Sequence, residues 1–62
     1  MGVMNMLWNY LFEDGESGER FFVQCASYRE ALKILDENGF SDCEYIDKFS
    51  DEEAEWMGYD TY

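Results

Sequence analysis

The groups this chain lacks decide more about its chemistry than the groups it has. A serine or cysteine nucleophile needs an adjacent base to take its proton. Histidine, the commonest such base, is absent. Lys33 and Lys48 read as solvated charges. Paired carboxylates can do acid–base work, but here the acids sit in turns and helix starts beside Ser and Gly, where exposure is the default. The expectation is a protein that is not an enzyme, with no catalytic residue and no cofactor.

Metal binding is the next chemistry to weigh. The run Asp14-Gly15-Glu16-Ser17-Gly18-Glu19 has the look of a calcium loop. An EF-hand needs oxygen ligands at its first, third and fifth positions and Gly at its sixth. Counted from Asp14, the fifth residue is Gly18 and the sixth is Glu19, so the pattern fails. Cys25 and Cys43 are 18 positions apart and form neither a CxxC pair nor a zinc pattern. Small secreted domains usually carry more cysteines than two. These two read as small buried hydrophobes in a reducing, cytoplasmic compartment.

Charge is the strongest compositional signal. Fifteen Asp and Glu stand against four Lys and Arg, for a net charge of -11. Such a surface repels nucleic acid phosphates and anionic lipid headgroups, and no apolar run approaches the roughly 20 residues of a membrane span. The N-terminus has no Lys or Arg before its apolar stretch, so no secretory signal is expected. Residues 36–62 hold ten acids and one base. If Asp36, Glu37, Asp42, Glu44, Asp47, Asp51, Glu52, Glu53 and Glu55 form one ridge, that ridge can meet a basic protein surface. A duplex displays one negative charge per roughly 1.7 Å of axis, and carboxylates on a rigid scaffold can imitate that display. The plainer reading is a solvated face that keeps an aromatic-rich protein soluble.

The elements that must position these acids are legible along the chain. Its 62 residues leave room for one domain, residues 1–62. With 19% aromatics it should fold, since disordered acidic tails are poor in them. Met4 to Phe12 carries no charge and alternates Met4, Met6, Trp8, Tyr10 and Phe12 on one side, the period of a strand. Residues 13–19 read as a hairpin loop, and Arg20 to Ala26 as a second strand with Phe21, Val23 and Cys25 on one face. Ser27 and Glu30 are spaced as a capping box, in which Glu30 reaches back to the amide of residue 27. The helix they start runs to about Asn38, with Tyr28, Ala31, Leu32 and Leu35 as its buried stripe and Ile34 widening it. Gly39 and Phe40 suit its C-terminal cap. Cys43 to Phe49 reads as a third strand at a sheet edge, with Cys43, Tyr45, Asp47 and Phe49 facing one way. Ser50 and Glu53 repeat the capping-box spacing before a short helix carrying Ala54, Trp56 and Met57 and stopping at Gly58. The last residues, Tyr59 to Tyr62, are short enough to fray, although two Tyr argue for some packing.

The order β-β-α-β with a short C-terminal helix defines a small α+β sandwich. Two strand orders are open, with the third strand beside the second or beside the first. Order 2-1-3 is preferred because it centres the uncharged first strand. It puts Cys25 and Cys43 on opposite outer strands, about 9 to 10 Å apart from strand spacing alone, too far for a disulfide. One helix cannot cover both faces of such a sheet. The other face must stay open, take Trp56 and Met57, or meet a partner, which gives the alternative reading: a structural, self-associating domain, a homodimer through Trp8, Tyr10 and Phe12.

The C-terminal stretch S-D-E-E-A-E-W-M-G-Y-D-T-Y, together with size and acidity, resembles small acidic proteins of phages and mobile elements of Gram-positive bacteria. Some proteins of such elements are nucleic acid mimics, among them anti-CRISPR and anti-restriction inhibitors. The resemblance implies an acidic inhibitor of a nucleic-acid-binding protein and carries over no site residue.

Overall fold

The structure, a computed structural model, describes residues 6–62. It is an α+β fold of five elements: β1 (Trp8–Asp14), β2 (Arg20–Cys25), α1 (Tyr28–Glu37), β3 (Cys43–Phe49) and α2 (Asp51–Met57). The sheet has order β2-β1-β3, with β1 antiparallel to both neighbours. The uncharged segment is therefore central, as its composition requires. Glu13 and Asp14 extend β1 past Phe12 into the expected loop, and Ala26 falls outside β2. Met6 and Leu7 are exposed and lie ahead of the strand. Met4 lies outside the described residues.

Alternation divides β1 and β2 between two faces. Tyr10 and Phe12 join Phe21, Val23 and Cys25 on one face, where Ala31 and Leu35 of α1 close a single buried cluster. Phe12, Phe22 and Val23 are fully buried, and each such side chain contributes about 1.5–3 kcal/mol by leaving water. The α1 stripe is narrower than its spacing suggests. Tyr28 and Leu32 stay substantially exposed because α1 lies along β2 and leaves the β3 side of this face open.

The ends of α1 follow local chemistry. The Ser27 hydroxyl accepts from the Glu30 amide at 3.2 Å. The Glu30 carboxylate accepts from the Ala26 amide at 3.0 Å, not from that of Ser27, so the reciprocal bond lands one residue earlier than expected. At the other end the Phe40 amide donates to the Leu35 carbonyl and the Gly39 amide to Asp36. This pair of bonds is a Schellman cap, and it requires the left-handed backbone of Gly39, whose φ is 83°. Phe40 then stacks on Phe21 with ring centroids 4.7 Å apart.

Strand β3 departs from simple alternation. A bulge opposite Leu11 and Phe12 lets Tyr45 pair with Phe12 and Asp47 with Leu11, with Ile46 the extra residue. Cys43 and Tyr45 therefore share the α1 face, whereas Asp47 and Phe49 turn to the other. The sequence pattern placed all four together.

The second face is covered by the C-terminal segment, though not through Trp56. Phe22 packs edge-on against Phe49 and Tyr59, at 6.2 and 5.7 Å, Leu11 is buried, and Ala54 is half-buried. Trp56 is 91% exposed. The terminal residues do not fray. Thr61 bridges Phe22 in parallel sense, and the Phe22 amide and carbonyl bond to Asp60 and Tyr62 at 2.7 Å each. Tyr62 also meets the rings of Phe21 and Phe40 edge-on. The outer edge of β2 is thus occupied by the chain itself.

Both cysteines are free. Cys25 pairs with Trp8 and Cys43 with Asp14, at opposite ends of β1. Six residues of strand add about 20 Å along the chain to the lateral spacing, so the separation exceeds the one estimated from spacing alone.

Candidate functional site

All nine candidate carboxylate residues are exposed, but two faces divide them. Asp36 and Glu37 end α1, on one face of the sheet. Glu44 and Asp47 point from β3 toward the other face, sharing it with Glu13 and Leu11 of β1. Asp51, Glu52, Glu53 and Glu55 lie on α2, which packs on that same second face. Asp42 precedes β3 beside the hairpin, where its carbonyl accepts from the Gly15 amide at 2.7 Å. The single ridge expected from sequence becomes a patch formed by β3 and α2, with Asp36 and Glu37 separated from it by the sheet.

Several of these acids also hold the fold. Asp51 Oδ1 accepts from Asn9 Nδ2 at 2.8 Å and from Gln24 Nε2 at 3.0 Å. Asn9 is 3% exposed and donates as well to the Phe49 carbonyl at 3.3 Å, so this central-strand amide ties down the start of α2. Glu53 completes the second capping box, accepting from the Ser50 amide and hydroxyl while Ser50 Oγ accepts from the Glu53 amide. Asp47 Oδ1 accepts from the Lys48 amide at 2.8 Å. The carboxylates of Glu44, Glu52 and Glu55 take part in no hydrogen bond or ion pair among the described residues.

The cations do little to neutralise the patch. Among the described residues the one ion pair joins Arg20 Nε to Glu13 at 3.0 Å. Glu13 first, then Tyr59, holds the Arg20 guanidinium above its ordinary pKa. Lys48 sits over the Trp8 ring, 4.7 Å from its centroid, on the α1 face.

Two features of this surface were not read from sequence. The first is the exposed Trp56, with Glu52 and Glu53 one helical turn earlier and Glu55 beside it. Its place in a run of carboxylates, after Glu52, Glu53 and Glu55, was the available signal. The second is the aromatic cluster left open beside α1, where Tyr28 and Tyr45 meet edge-on at 5.1 Å and both contact Tyr10. Burial, then Asp47 and the other two tyrosines, pushes the Tyr45 hydroxyl pKa up.

Enclosed chemistry is sparse. A cleft of about 300 Å³ opens between Arg20, Phe40, Tyr59 and Tyr62, and its cation is already held by Glu13. Burial pushes both thiols up, with Glu30 adding to this at Cys25 and Asp14 and Asp42 at Cys43. No group of three or more Cys, Asp or Glu among the described residues is arranged to hold a metal ion. No helix among them is long and apolar enough to cross a membrane. The fold and surface define a small α+β domain with an acidic flank. Comparison with protein-family models, with curated proteins and with solved structures gives no match.

Proposed function

We propose that this protein is a non-enzymatic binding module, of the kind phages and mobile elements carry, whose acidic β3–α2 flank engages a basic protein surface such as the nucleic-acid site of a nucleic-acid-binding protein. The observation that carries this reading is Trp56, 91% exposed on a helix whose other residues are mostly carboxylates. An indole that covers no core of its own is costly to leave in water, and aromatic anchors dominate interface energetics. With Glu52 and Glu53 one helical turn earlier, it suits a Lys or Arg side chain, which gains from the ring face and the nearby carboxylates together. Complementary fields would also speed encounter.

The test uses a lysine-rich peptide as probe. Reversing Glu44, Glu52 and Glu55 to Lys changes no hydrogen bond within the fold and should abolish binding. Trp56→Ala should weaken binding without lowering stability. Binding that survives the reversal, or that ignores ionic strength, refutes the reading, since exposed charges are screened over roughly 10 Å at 0.1 M salt.

A second reading, self-association, is favoured by the open aromatic cluster. Tyr10 and Phe12 are buried under α1, so the contact residues would be Tyr28, Leu32 and Tyr45, with Trp8 at the margin. Association persisting at high salt and lost in Tyr45→Ala would support it.

A further inference from the structure

The two edges of the sheet differ. The outer edge of β2 is occupied by Asp60–Tyr62 through backbone hydrogen bonds. The outer edge of β3 pairs with no other segment among the described residues. In an antiparallel ladder, alternate residues of an edge strand point their N–H and C=O groups away from the neighbour. Lys48 is one of these, because its amide is bonded at 2.8 Å to the carboxylate of the preceding Asp47. An exposed carboxylate therefore occupies a strand-pairing donor that β1 does not use.

Resting on the basic-partner reading above, we propose that β3 receives an extended basic segment of the partner as an added strand. A carbonyl of the incoming strand takes the Lys48 amide. Asp47, released from that amide, pairs with a Lys or Arg of the same strand, and Glu44 on the same face meets another. Backbone pairing supplies affinity and alternate side chains supply selectivity, as in other strand additions. Charge selects the occupant. Two copies of this chain would each bring a net charge of -11 and oppose their own edge acids, whereas a cationic strand matches them.

The probe is a synthetic peptide alternating Lys and Val, with an N-methylated counterpart that cannot pair as a strand. On saturation with the first, exchange of the Lys48 amide should slow by about tenfold or more, because an exposed side-chain acceptor gives way to a backbone carbonyl inside a ladder. Lys48→Pro removes that amide without removing a bond to β1, so it is tolerated as edge prolines are, and should weaken binding about tenfold. Lys48→Ala keeps the amide, discards the positive charge, and should bind at least as well as the parent. Equal binding of the N-methylated peptide, or unchanged exchange at Lys48 on saturation, overturns strand addition while leaving the basic-partner reading intact. Absence of binding by either peptide overturns both. The N-methylated arm decides the matter even where Lys48→Pro fails to fold.

Discussion

Asn9→Ala isolates the link between the sheet and α2. Asn9 is 3% exposed on the central strand, and its amide nitrogen serves the Asp51 carboxylate at 2.8 Å and the Phe49 carbonyl at 3.3 Å. A hydrogen bond to a charged group contributes about 1.5–3 kcal/mol when buried, less here because Asp51 is exposed and keeps its bond to Gln24. The substitution also leaves a small void and a carbonyl without its second donor. Together these should cost about 2 kcal/mol. For a domain of this size, that lowers the melting temperature by about 10 °C. Urea titration followed by far-ultraviolet circular dichroism measures it. Glu52→Ala, one position beyond Asp51 and without a hydrogen-bond partner, should stay within about 0.5 kcal/mol. A double-mutant cycle with Asp51→Ala should give a coupling of about 1 kcal/mol. Additivity of the two changes, or a loss below about 0.5 kcal/mol for Asn9→Ala, would refute the idea that this amide anchors the helix.

Other perturbations follow from the same contacts. A Cβ at Gly15 would stand 2.5 Å from Asp42 Oδ2 and 2.8 Å from its carbonyl oxygen, so Gly15→Ala should cost about 1–3 kcal/mol in the same titration by forcing the hairpin away from the segment before β3. A chain ending at Tyr59 loses the parallel bridge to Phe22 and the Tyr62 ring. It should melt lower and, with the β2 edge unpaired, associate in sedimentation. Raising the pH should destabilise the fold. Burial, reinforced by Glu30, raises the pKa of Cys25, and burial with Cys25 and Glu30 raises that of Tyr10. These groups are acids kept neutral by folding, so their stabilisation is complete below the ordinary thiol and phenol values. It is lost as pH climbs past roughly 9 to 10 and through the raised folded values. Melting curves that stay flat across that range would contradict the assignment.

Much of the architecture was legible because short-range chemistry announces it. Ser27 and Ser50 mark both helix starts, Gly39 and Gly58 both ends, and the lack of charge in β1 fixes which strand is central. The bulge was not legible. Cys43 to Phe49 alternates cleanly on paper, and the demand for an extra residue arises only when β3 must place Tyr45 beside Phe12 and Phe49 beside Phe22. The bridge from Thr61 to Phe22 was missed for a similar reason. Two tyrosines and a threonine favour extended backbone, but only the exposed edge of β2 gives that segment somewhere to bind. Of the acidic site, the residue types were readable and their sidedness was not, because Asp36 and Glu37 are close to Asp42 in sequence and on the far layer in space. Glu53 read as the capping-box residue of α2 and is one, whereas the bonds from Asn9 and Gln24 that tie Asp51 to the sheet were not legible.

The offset at Ile46 has a consequence for how few residues can make a double-sided sheet. Tyr45 and Phe49 lie four positions apart, so strict parity would put both rings on one side of the sheet. By slipping half a repeat midway, β3 lends an aromatic ring to each layer in turn, Tyr45 to one and Phe49 to the other. Excising Ile46 would leave Tyr45 opposite Phe12 and Asp47 opposite Leu11 in an unbulged ladder, each ring on the face it already occupies. Seven residues therefore act as a stitch through both layers.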